Sequence, residues 1–82
     1  MQIPDLNRVG GIDYKKGSFK FFVTNTSENL PSDISTNNRF LLEIINTGYD
    51  TIQRVTARGS NVSYTRYGVG NTSDTKEWSA WI

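Results

Sequence analysis

Four stretches of this chain change side-chain character two residues at a time, and that period commits it to β-structure. Residues 18–24 (SFKFFVT) put Phe19, Phe21 and Val23 on one side and Lys20 and Phe22 on the other. Residues 39–46 (RFLLEIIN) group Phe40, Leu42 and Ile44 against Leu41, Glu43 and Ile45. A strand apolar on both faces belongs at the centre of a sheet or at a subunit contact. Residues 51–58 and 61–67 alternate as well, and between them Arg58-Gly59-Ser60-Asn61 carries a Gly and an Asn that tolerate the positive φ of a tight hairpin. Residues 77–82 (EWSAWI) read as the closing strand. Short turns between successive strands favour an antiparallel meander. The expectation is an all-β domain, residues 1–82, built as a small antiparallel sheet with long polar loops and little or no helix.

The remaining segments fit that plan. Residues 1–17 are punctuated by Pro4, Gly10-Gly11 and Gly17, with Leu6 and Val9 as apolar anchors expected to tuck under the sheet and a short turn near Pro4–Val9. Residues 25–38 (NTSENLPSDISTNN) form a loop long for so small a domain, and loops of that length tend to carry function. On a strand, Trp78, Ala80 and Ile82 share one face while Ser79 and Trp81 share the other. That assigns Trp78 to the core and leaves Trp81 to a subunit interface or a ligand surface.

A chain of 82 residues supports one core. It buries only about 60% of the surface that the unfolded chain exposes, so help from outside the core is expected. The sequence has no cysteine and no histidine, which leaves oligomerisation as the common form of help and makes zinc or disulfide staples improbable. A net charge of +1 does not suggest a nucleic-acid partner. No apolar run is long enough to insert in a membrane, and MQIPDLNR does not read as a signal peptide.

Little in the sequence offers catalysis. With no histidine or cysteine and no Ser in a nucleophile-elbow context, a nucleophilic triad is excluded, and no cofactor or metal ligand set stands out. Gly68-Val69-Gly70 lacks the Gly-Lys-Ser/Thr continuation of a phosphate loop and reads as a hinge. Glu43, set among apolar residues, is either a perturbed site carboxylate or the partner of Arg54 or Arg66 on a neighbouring strand. Tyr49, Tyr64, Tyr67 and Trp81, with Asn71 and Arg66, form a candidate ligand surface suited to sugars or acidic groups, since flat rings stack on sugar faces. The same rings could equally serve as core. Phe40, Leu42, Ile44 and Trp81 form the candidate oligomer interface.

The ordered set Asp5-Leu6-Asn7, Gly17, Asn29-Leu30-Pro31, Phe40 to Ile44, Ile52-Gln53-Arg54-Val55-Thr56, Ser63 to Tyr67 and Trp78-Ser79-Ala80-Trp81 resembles the pyocin-knob type domains of phage tail fibres and related receptor-binding proteins. Where the family has a glycine-tyrosine pair before the first strand, this chain has Gly17-Ser18-Phe19. The resemblance implies a β domain of a longer fibre in a virion, a homotrimer, that contributes to attachment to a bacterial surface glycan and has no enzymatic activity. A carbohydrate-binding module of a glycoside hydrolase and a fibre-assembly domain without a ligand are the competing expectations.

Overall fold

The computed structural model describes residues 3–23, 27–32, 34, 39–59 and 61–82. Its frame is a five-stranded antiparallel sheet: β1 (Gly17–Val23), β2 (Phe40–Asn46), β3 (Asp50–Ala57), β4 (Ser63–Val69) and β5 (Glu77–Trp78), in spatial order β1-β2-β3-β4-β5. Every neighbour in the sheet is also the neighbour in sequence, as a meander requires. The expected all-β meander is therefore what the chain forms. Among the described residues the helical content is one 3₁₀ turn, Leu6–Arg8, capped by the Asp5 side chain, which accepts from the Asn7 N–H at 2.9 Å. Parts of the expected long loop and of the Gly59 turn lie outside the described residues.

The alternation resolves into one covered face and one open face. Phe19, Phe21 and Val23, then Phe40, Leu42 and Ile44, then Gln53 and Val55, then Tyr64 and Arg66 all point to the covered side. Among the described residues no second sheet or long helix lies over them. The cover is irregular chain: Ile3, Leu6 and Val9 from the N-terminal segment, Ile34 and Leu30 from the connection between β1 and β2, and Trp81 from the C-terminal tail. Leu6 and Val9 do tuck under the sheet, at 0% and 3% exposure. The N-terminal segment and the connection are stitched to each other, Leu6 N–H donating to the Glu28 carbonyl and Glu28 N–H to that of Pro4.

This cover corrects the expected oligomer interface. Phe40, Leu42 and Ile44 are 0–1% exposed within a single chain, so they have no surface left to offer a partner. Of the remaining apolar side chains of β1 and β2, which the alternation sends the other way, Phe22 and Ile45 are exposed and Leu41 is half-buried.

The expected placement of the two tryptophans is also corrected. β5 ends at Trp78, and the tail stays hydrogen-bonded to β4 with one residue too many. Ser79 N–H donates to the Tyr67 carbonyl, and Ile82 exchanges both backbone bonds with Thr65. Ala80 and Trp81 together thus oppose Arg66 alone, which is a β-bulge. The extra residue brings Trp81 round to the covered face, where Trp78 already lies, and turns Ser79 and Ile82 to the open one.

Candidate functional site

Three places in the molecule gather side chains of chemical interest. The first is the Arg66 clamp. The Arg66 guanidinium carbon sits 4.0 Å from the Trp78 ring centroid and 4.6 Å from that of Trp81, close to both indoles. Its Nε donates to Gln53 Oε1 at 2.9 Å, and Gln53 Nε2 in turn donates to the carbonyls of Leu6 and Val9 at 2.7 and 2.8 Å. Burial lowers the Arg66 pKa to about 10, against a smaller opposing pull from Asp5. The guanidinium is held by aromatic faces and an amide rather than by a carboxylate salt bridge. Trp81 packs on the core and donates its Nε1–H to the Asn29 carbonyl at 3.0 Å. Trp78 is half-buried and lies over Gly68, where an added Cβ would come within 2.6 Å of its ring. Tyr64 is likewise half-buried against the core. Half of the expected ligand surface, Tyr64, Arg66 and Trp81, is thus part of the packing that closes the covered face.

The second place is the end of the sheet where β3 begins. Tyr49 and Tyr67 are 54% and 44% exposed, and Tyr67 donates its hydroxyl to Asp50 Oδ1 at 2.5 Å. That bond raises the Tyr67 pKa, with burial and the charges of Asp50 and Tyr49 adding to it. Below these rings Lys76 donates to the carbonyls of Gly48, Tyr49 and Gly70 at 3.1, 2.9 and 2.8 Å, so its three protons are all used in fixing the loops. Exposed Asn71 is in the adjoining loop, its carbonyl accepting from Ile12 N–H. Tyr49, Tyr67 and Asn71, the other half of the expected ligand surface, are accessible.

The third place is the open face itself. The register sets three rows across the four long strands. One row is Ser18, Ile45, Ile52, Tyr67. The middle row is Lys20, Glu43, Arg54, Thr65. The last is Phe22, Leu41, Thr56, Ser63. Phe22 and Ile45 are 56% and 50% exposed, and Ile82 of the tail, paired with Thr65, lies at the end of the middle row. A trough of about 670 Å³ runs over the face, between Ser18 and Lys20 at one side and Arg54 and Thr65 at the other. Glu43 Oε1 accepts from Arg54 Nε and Nη2 at 2.8 and 2.6 Å. The Glu43 partner is therefore Arg54; Arg66 points to the opposite face.

Alternation in the sequence located the open-face residues but gave no reason to prefer one face as the exposed one. Of the buried polar set Asn46, Thr51, Gln53 and Lys76, sequence reasoning marked only Gln53, within the family resemblance, and foresaw a buried role for none of them. Gln53 carried the one available signal, a long amide in phase with Val55. Among the described residues, no group of three or more His, Cys, Asp or Glu side chains is placed to hold a metal. Comparison with protein-family models, curated proteins and solved structures returns no match for this chain.

Proposed function

We propose that this chain is a non-catalytic assembly and recognition domain of a phage-type fibre or similar virion appendage, contributing to attachment to a bacterial surface. The observation that carries the reading is the open sheet face, where Phe22 and Ile45 are exposed beside half-buried Leu41 and Ile52 although the chain has a complete covered face elsewhere. Exposed apolar groups collected on one face mark a contact surface. The carboxylates add support, because Asp5, Asp13, Glu43, Asp50 and Asp74 are engaged in capping, hydrogen bonds or ion pairs. The resemblance to pyocin-knob type domains supplies the setting, a fibre in which copies of the chain associate.

Recognition belongs to the Tyr49, Asp50, Tyr67 and Asn71 end. Exposed phenol rings beside a carboxylate and an amide suit a sugar face and its hydroxyls, whether on a fibre or in a carbohydrate-binding module. The test is a glycan array of bacterial surface polysaccharides probed with the wild-type chain and with Tyr49→Ala. Binding that falls at least tenfold in the variant supports the reading, and an array with no bound glycan removes the recognition half of it.

A further inference from the structure

We infer that the open sheet face is self-complementary and pairs with the same face of a second copy about a two-fold axis that runs along the strands between β2 and β3. The inference rests on the assembly reading above and replaces the trimer implied by resemblance with a specific geometry. Such an axis exchanges β1 with β4 and β2 with β3 while returning each row of side chains to itself in reverse order. In the middle row, Glu43 comes to lie over the partner copy's Arg54, and Arg54 over the partner copy's Glu43. In the neighbouring row, Ile45 meets Ile52 twice. An axis laid across the strands over the middle row instead would set Lys20, Glu43 and Arg54 each against its own copy, and like charges facing each other in an interface oppose association. The charge order therefore selects one of the two ways that the faces could be stacked.

The dimensions agree with a two-layer sandwich. Packed sheets lie about 10 Å apart with strand directions within about 30° of each other, which an axis along the strands provides. The four long strands β1–β4, about 4.8 Å apart and about seven residues long at about 3.3 Å each, span roughly 450 Å² of flat sheet. Side-chain relief brings that toward the roughly 800 Å² that each partner contributes to a standard interface. The Glu43–Arg54 bond within each chain uses one carboxylate oxygen and two of the three guanidinium nitrogens, leaving Glu43 Oε2 and Arg54 Nη1 for the partner. A second copy is thus matched in charge as well as in apolar pattern.

The test mixes two charge variants. Glu43→Arg alone puts two arginine pairs face to face across the axis, and Arg54→Glu alone puts two glutamate pairs there. Each should raise the dissociation constant about a hundredfold or more. Mixed one to one, the two chains regain opposite charges at both crossings, although within each chain the residues at 43 and 54 stay alike. Sedimentation equilibrium should read a wild-type dimer, two weakly associating variants and a restored dimer in the mixture, with far-UV circular dichroism unchanged throughout. Ile45→Asp, on the same exposed face, provides a second disruption that does not involve the ion pair and should leave a folded monomer. A mixture no more associated than either variant overturns the inference, as does a wild-type trimer or monomer at the highest soluble concentration. Glycan recognition is read separately on the array, so its failure is distinguishable from failure of the pairing.

Discussion

Asn46 makes five hydrogen bonds from a position 1% exposed, more than any other side chain described. Its Oδ1 accepts from Gly11 N–H, Gly48 N–H and the Thr51 hydroxyl, and its Nδ2 donates to the carbonyls of Gly11 and Lys15. The amide is thereby the fastening between the N-terminal segment and the β2–β3 turn. Asn46→Asp keeps the shape but aims an oxygen at two carbonyls, so it should cost about 3 kcal/mol, the upper range for a broken buried bond that leaves charge behind. Urea denaturation would measure it, and a loss below that of an exposed substitution would contradict the assignment. Asp13 adds a pH dependence of known sign. Its carboxylate accepts from the Ser73 hydroxyl and N–H at 2.8 and 3.0 Å, which lowers its pKa from the usual 3.8. A depressed carboxylate stabilises the fold above its unfolded pKa and loses that contribution as pH falls through the lower folded value. Asp13→Asn should therefore flatten the decline in stability on acidification below the ordinary carboxylate range, read as midpoint temperature against pH.

Strand existence was legible in the sequence because period two survives in every long strand. Which face is covered was not, for a physical reason: β2 is apolar on both sides, and the cover comes from irregular chain with no periodicity of its own. The bulge at Ala80–Trp81 was hidden for the same kind of reason, since nothing in Ser79-Ala80 marks an extra residue and the spacing of the tryptophans alone implied opposite faces. The bulge makes Arg66 the shared partner of two elements, and this can be tested at Gly68. A Cβ there would meet Trp78 Cε3 and Cζ3 at 2.6 and 2.7 Å and the Lys76 stem at 2.8 Å, so the indole must leave its seat on Arg66. Gly59, by contrast, has φ +76° and nothing within 4 Å of an added Cβ. Gly59→Ala should cost about 1 kcal/mol of backbone strain alone. Gly68→Ala should cost more, about 2–3 kcal/mol, as an overpacked site does. Equal losses in thermal denaturation would mean that the ring is free to move.

At the scale of the whole molecule, one sheet face is dressed by chain from both termini and from the β1–β2 connection, and a single amide links the N-terminal part to Arg66 and its two tryptophans. Gln53 reaches the Leu6 and Val9 carbonyls with its nitrogen and receives Arg66 with its oxygen, so the N-terminal cover, the central strand and the tryptophan clamp share one polar network. A cover of this kind cannot peel away alone, because lifting residues 6–9 would strip Gln53 of two acceptors while Phe40, Leu42 and Val55 met water. Gln53→Leu fills most of the volume and removes all three bonds, leaving the Val9 carbonyl and a guanidinium N–H buried without that partner and the Leu6 carbonyl with the Val9 N–H alone. The loss should be about 3 kcal/mol or more. Its distribution is the sharper readout. Native-state hydrogen exchange should show the slow amides of β2 and β3 accelerating by the same free energy as the N-terminal amides, as in one cooperative unit. Acceleration confined to residues 3–16, with β2 and β3 unchanged, would mean that the cover opens independently and that the sheet holds its fold without it.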